Sequence, residues 1–394
     1  MMNRGICVTL ALLLFAGCAV TQPTFEAGTA CVAEAFSVVD DFAGARRGQC
    51  DVLARNHVRV SIVAEDEGEI NPSPWFAFKL LPNAPGTAII SLGYVGDTHR
   101  YLPKISHDGQ NWSAVDSEQY RILHDGRLVR IEVSLNDDPV WIAAQELMMP
   151  DMYDAWNREM AATAGVKLKL LGQSLEQRPI HYLVSESASR DVLFLVGRQH
   201  PPEVSGAFAF FAFTETVLAD TELARDFRDR FQIIAIPMLN PDGVVAGHWR
   251  HNRGGTDLNR DWGMFSQPET QAVGQLLDEL DAAGRRISVF LDFHSTKKNL
   301  IYIPEKGAAS TSPGFFRRWL TRAGPRLENY PVTGEVSSTK DPGIGKNYIY
   351  HRYGIPAATY EVGDETDRQS TRQAGVVLAE ELMKLMLETL APTG

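Results

Sequence analysis

Hydrophobic and polar positions follow two different patterns, and the change falls near Met149-Pro150. Before it, apolar residues alternate with polar ones. Val58, Val60 and Ile62 alternate with Arg59 and Ser61, and Val129, Ile131, Val133 and Leu135 alternate with Arg130, Glu132 and Ser134. A period of two sends each set to one face of a pleated strand, so both stretches predict half-buried strands. Turn dipeptides such as Asn71-Pro72, Asp108-Gly109 and Asp125-Gly126 punctuate the region, and no long amphipathic helix interrupts it. The expectation is an antiparallel β-sandwich over residues 31–147.

After residue 149, strands and helices alternate. Apolar runs at 192–197, 231–237 and 287–293 predict buried central strands. Ser266 and Glu269 have the spacing of a capping box, with Pro268 in the first turn, and Val273, Leu276, Leu277 and Leu280 follow at helical spacing. A last helix is expected from about Ser370, carrying Val377, Leu378, Leu382 and Leu385. Such alternation predicts an α/β fold over 150–390, with a mixed, mostly parallel sheet covered by helices.

Composition narrows the function. At 394 residues the chain exceeds the usual size of one domain, and 44% apolar with 22% charged residues describes a globular protein. A net charge of −11 argues against nucleic acid as a partner, since phosphate contacts need a basic face. At the N-terminus, Arg4 precedes an apolar run that ends at Cys18. The run is too short for a membrane anchor and suits a signal peptide over 1–17. Leu14 to Cys18 has the form of a bacterial lipobox. It predicts a lipid-anchored Cys18, a tether over 18–30 and placement on the periplasmic side of a membrane. Ordinary signal cleavage, giving a soluble periplasmic or secreted protein, is the alternative. Cys31 and Cys50 are either a disulfide of an oxidising compartment or two buried thiols. Oligomeric state is not legible.

The chemistry gathers at the ends of the apolar runs. His200 and Glu203 directly follow the run at 192–197, where α/β sheets build ligand sites, and Pro201 and Pro202 stiffen the turn between them. His294 ends the run at 287–293. Two His and one Glu leave a coordination position open, the pattern of one catalytic Zn²⁺ per chain. Asp292 either orients one of these ligands or is a surface carboxylate. Glu361, at the end of a further apolar run, is a candidate general base, with a capping or salt-bridged acid as the alternative. Arg250, Arg253 and Arg260 crowd a Gly- and Asn-rich stretch. One such guanidinium can stabilise an oxyanion, and another, with Asn259, can hold a terminal carboxylate.

Together, His200-Pro-Pro-Glu203, the 248–252 stretch, Asp257-Leu-Asn-Arg-Asp-Trp262, His294 and the 359–365 stretch resemble the zinc carboxypeptidases of the carboxypeptidase A type. The resemblance is to their cytosolic-carboxypeptidase branch in particular. It implies zinc ligands at His200, Glu203 and His294, a turn at Asn240–Gly243 and an oxyanion arginine at Arg250. It further implies a carboxylate grip at Asn259 and Arg260 and a base at Glu361. Residues 74–78, 99–112 and 139–146 are similar to the β-sandwich that precedes the catalytic domain in this branch. The tyrosine that closes over substrate in the family has no clear counterpart here. Tyr348 is the candidate, with a core tyrosine as the alternative. Lys346, Lys340 and Arg352 fall where side-chain pocket residues do, and a lysine there implies a preference for acidic C-terminal residues. The expected partners are peptide or protein C-termini. A zinc-dependent deacylase, a peptidase of murein stem peptides and a catalytically silent binding protein are the other readings.

Overall fold

The computed structural model describes residues 31–66, 73–163, 165–304 and 311–390, so the export segment and tether predicted for 1–30 lie outside it. The alternation at the front of the chain is seen residue by residue. In the strand His57–Ile62, Val58, Val60 and Ile62 are buried and Arg59 is exposed. In Leu128–Leu135, Val129, Ile131, Val133 and Leu135 are buried and the residues between them exposed. The front strands form two sheets. One runs in space Cys31–Val32, Phe36–Val39, Ala77–Pro82, Val140–Ala143, Lys104–Ser106, Ser113–Ala114. The other runs Cys50–Ala54, His57–Ile62, Gly86–Tyr94, Leu128–Leu135, Tyr120–Leu123.

One pairing departs from the all-antiparallel expectation. His57–Ile62 lies parallel to Gly86–Tyr94. Between them the chain crosses to the other sheet through Ala77–Pro82 and returns, so it re-enters in its original direction. Cys31 and Cys50 form a disulfide that joins an edge strand of one sheet to an edge strand of the other.

The third sheet has eight strands, in the order Val166–Gln173, Pro179–Ser185, Gln232–Ile236, Asp191–Gly197, Arg286–Thr296, Ala357–Gly363, Leu300–Pro304, Thr333–Ser337. The runs predicted at 192–197, 231–237 and 287–293 coincide with its centre. Together with Ala357–Gly363 they lie parallel. Buried on both faces, they have no polar side to show, which is why they read as continuous apolar runs. Leu193 and Leu195 face the helices Val204–Leu218 and Arg368–Thr389, and the front sheets share this same apolar core. Val192, Phe194 and Val196 face the helix Pro268–Ala282.

The capping box is a correction. The helix opens at Pro268 with Gln267 as its cap residue and no side-chain cap. The Ser266 hydroxyl donates instead to Asp261 Oδ1 at 2.6 Å. Glu269 is buried and accepts from Asn252 Nδ2 at 3.1 Å. The last helix begins at Arg368, capped by Asp367, whose Oδ1 accepts the Ser370 N–H at 2.8 Å. All four central strands end at one edge of the sheet, where the candidate residues meet.

Candidate active site

At the end of Asp191–Gly197 the chain must reverse into the helix Val204–Leu218. Arg198 makes the reversal at a φ of 51°, a left-handed conformation that side chains resist. Its buried guanidinium holds the turn, donating to the Pro201 carbonyl at 2.9 Å and to the Tyr153 hydroxyl at 2.8 Å. The turn brings His200 Nδ1 to 2.8 Å from Glu203 Oε1. From the neighbouring strand, His294 Nδ1 lies 2.7 Å from Glu203 Oε2 and 3.1 Å from His200 Nδ1. Gly206 permits this approach: a Cβ added there would sit 2.5 Å from the His294 carbonyl oxygen.

The outer ring nitrogens assign the protonation of the imidazoles. His200 Nε2 faces Asp257 Oδ1 at 3.0 Å, and His294 Nε2 faces Asp292 Oδ2 at 2.8 Å. Each Nε2 thus keeps its proton toward Asp257 or Asp292, while each Nδ1, facing the Glu203 carboxylate, would give up any proton it holds there to a metal ion. Two ring nitrogens 3.1 Å apart beside a buried carboxylate call for positive charge between them, supplied by a proton or by a metal ion. This donor set fits a zinc ion. The electrostatics agree. Burial works against charge on Glu203, yet His200 and His294 hold its carboxyl well below the usual range. Burial likewise opposes charge on His294, but Asp292 and Glu203 outweigh it and raise the imidazole well above its ordinary value. The pocket draws positive charge.

Glu361 stands level with His294 on the adjacent parallel strand Ala357–Gly363. The residue as a whole is half-buried, but its Oε2 is sealed from solvent and has no hydrogen-bond partner. Burial pushes its carboxyl up to about 8, opposed by His294 and reinforced by Glu203 and Asp292. Arg250 Nε donates to Asp257 Oδ2 at 2.6 Å, so one carboxylate ties Arg250 to His200. Asn259 Nδ2 lies 3.3 Å from His294 Nε2, and its Oδ1 accepts the Gly345 N–H at 2.8 Å. Lys346 follows in the helix Gly345–Tyr353, buried, its ammonium donating to Asn347 Oδ1 at 2.6 Å. Burial pulls Lys346 down to about 8, with Asp292 resisting the fall. Arg260 lies further out, its side chain 47% exposed and its Nε 3.6 Å from Asp341 Oδ2.

Tyr348 is not brought to this cluster. Its ring packs edge-on against Phe265 at 5.2 Å between centroids, and its hydroxyl accepts from Arg352 at 2.8 Å. The ring packs among Phe265, Trp262 and Gly263. Arg352 is also engaged elsewhere, donating to Asp278 and Asp281 at 2.6 and 2.7 Å, and Lys340 is exposed. Asp292 is the buried partner of His294 rather than a surface carboxylate. Asp257 and Gln199 were missed. Asp257 sits inside the motif at 257–262 and caps its short 3₁₀ turn, a signal the sequence carried. Gln199, which donates to Asp292 Oδ2 at 2.8 Å and accepts from Trp262 at 3.0 Å, has none beyond adjacency to His200. The turn expected at Asn240–Gly243 is the start of a helix, with Asn240 Oδ1 accepting the Gly243 N–H at 2.9 Å.

Comparison with known proteins matches residues 153–384 to the zinc carboxypeptidase family. A metallo-carboxypeptidase from Burkholderia cenocepacia superposes with a TM-score of 0.77 at 18% identity, covering 90% of this chain and 100% of that one. A metallo-carboxypeptidase from Pseudomonas aeruginosa, solved with (2-guanidinoethylmercapto)succinic acid, gives 0.72 at 20% identity, covering 90% and 100%. At these identities the likeness is one of fold, and it extends over the front sheets. Cytosolic carboxypeptidase 1 of Danio rerio is 36% identical over 122 residues, 30% of this chain and 11% of that protein. The chain thus spans only a small part of the cytosolic carboxypeptidases it matches.

Proposed function

This chain belongs to the zinc carboxypeptidase family, and from that premise we propose that it hydrolyses the C-terminal peptide bond of peptides or proteins, preferring acidic terminal residues. The observation that carries the reading is the convergence of His200, Glu203 and His294 beside the sealed carboxyl of Glu361. Bound by those three residues, Zn²⁺ supplies Lewis acidity toward water and the scissile carbonyl. Glu361 takes the proton of the attacking water and delivers it to the leaving amine. Burial raises its carboxyl above the usual range, so the proton it takes is held until the leaving amine receives it, while the positive charge of a bound zinc ion would favour the ionised form that accepts it. Arg250, with its Nε fixed by Asp257, faces the oxyanion with its remaining N–H groups.

Asn259 and Arg260 grip the terminal carboxylate, Asn259 from beside His294 and Arg260 by swinging in from its exposed pairing with Asp341. Lys346 supplies the positive charge for an acidic side chain, being a buried ammonium close to Asp292 and Arg260. The segment 1–18 is an export and lipid-anchoring signal in this reading, so the substrates are peptides of the cell envelope. A panel of peptides differing only in the last residue tests the specificity. Chelator-sensitive release should be fastest for Glu and Asp and lose that bias in Lys346→Ala. Equal rates for Glu and Leu in the parent enzyme would refute the acidic preference.

A further inference from the structure

Glu65 belongs to the front half, three residues past the strand His57–Ile62, yet its carboxylate reaches the loop that carries Arg250. Its side chain is 2% exposed. Oε1 accepts the backbone N–H groups of Arg250 and His251, each at 2.8 Å, and Oε2 accepts that of Trp249 at 2.6 Å. Three consecutive N–H groups therefore close on one carboxylate. The loop is locked from other sides too. The Trp249 indole donates to the Trp75 carbonyl at 3.0 Å. Gly247, at a φ of 63°, lets the front half come so near that an added Cβ would lie 2.8 Å from the Gly44 carbonyl oxygen. Arg46 braces the segment that holds Glu65, donating to the carbonyls of Val63 and Ala64 at 3.1 and 2.6 Å.

Asp66 and His251 meet at the same corner, with His251 Nδ1 2.5 Å from Asp66 Oδ2, so Glu65, Asp66 and His251 group as cation ligands do. The hydrogen bonds decide against a cation there. Both Glu65 oxygens already face N–H donors, whose positive ends repel a second cation. Glu65 acts on the backbone.

Arg250 is thus fixed twice, its backbone by Glu65 and its Nε by Asp257. A donor that must be in place before charge develops in the transition state gains from being held, since reorganisation at that moment raises the barrier. We propose that Glu65 is a positioning residue for Arg250, through which the front half of the chain contributes to the rate of hydrolysis. This rests on the reading of Arg250 as the oxyanion's partner.

A double-mutant cycle separates the two. Values of kcat and KM are measured on one peptide for the parent enzyme, Glu65→Gln, Arg250→Ala and the double variant, with zinc content determined for each. Gln keeps the shape but turns an NH₂ group toward the loop's own N–H donors. The expected result is a loss in kcat of about tenfold to a hundredfold in Glu65→Gln, as for a group misplaced by about an ångström. KM and zinc content should stay near those of the parent. In the Arg250→Ala background the same change should alter kcat less than about twofold, because the residue it positions is gone. A normal kcat in Glu65→Gln, or an equal loss in both backgrounds, overturns the proposal and leaves the role of Arg250 standing. A normal kcat in Arg250→Ala overturns that role, and the proposal with it. If Glu65→Gln does not fold, Glu65→Asp keeps the charge, withdraws it by one methylene and is read in the same way.

Discussion

At the scale of single residues, the site works by contrast between neighbouring carboxyls. Glu203 is held ionised by two imidazoles, while Glu361, on the next strand, is pushed up by burial. Glu361→Gln should therefore keep zinc and lose activity by about 10² to 10⁴ in kcat, since an amide cannot accept the proton. Metal analysis beside steady-state rates checks this, and a normal kcat would remove Glu361 from the chemistry. Lys346 gives a pH signature of its own. With its ammonium pulled down to about 8, the positive charge is present below that pH and lost as pH rises through it. The KM for a peptide ending in Glu should climb over that range relative to one ending in Leu, and the ratio should become flat in Lys346→Ala. That His200, Glu203, His294 and Glu361 come together was legible in the sequence because each lies at or near the end of an apolar run. Asp257 was partly legible, and the packing of Tyr348 against Phe265 was not, because chain position does not say which way a helix turns its ring.

At the scale of elements, the site depends on how closely the helix Val204–Leu218 approaches the strand Arg286–Thr296. Gly206 sets that distance, and the atom in the way of any side chain is a backbone oxygen that cannot move aside. Gly206→Ala should destabilise the fold by roughly 1–3 kcal/mol, the usual scale of overpacking. It should also weaken zinc binding, because His294 is displaced from Glu203. Calorimetry and zinc competition measure the two effects. Gly86→Ala, where a Cβ meets nothing within 4 Å, serves as the control. The central strands were legible to within a residue or two at their starts, since burial on both faces writes itself as an apolar run. The capping box was not, because Asp261 competes for Ser266 through the tertiary fold and the spacing of Ser and Glu cannot show that.

At the scale of the whole molecule, the front sheets and the catalytic sheet are joined by charge as well as by a shared core. Arg100 donates to both oxygens of Asp364 at 2.8 and 3.2 Å, and Arg368 reaches Glu146 at 2.9 Å, just beyond the strand that carries Glu361. No local pattern announces such pairs, which lie more than two hundred residues apart in sequence. The Cys31–Cys50 disulfide closes a loop of 19 residues across the two front sheets. Replacing both cysteines by serine should cost about 3 kcal/mol in the chain-entropy model, seen as a lower midpoint in urea, with zinc binding retained. An unchanged midpoint would mean that the sheets are held by their core alone. With Asn259 and Arg260 as the proposed carboxylate grip, the enzyme is expected to need a free carboxylate at the end of its substrate. The most direct test compares release of the last residue from one peptide with a free C-terminus and from the same peptide amidated, using zinc-loaded enzyme. Rapid release from the free acid, abolished by amidation and by a chelator, is the predicted result. Equal cleavage of both peptides, or activity that survives the chelator, would contradict it.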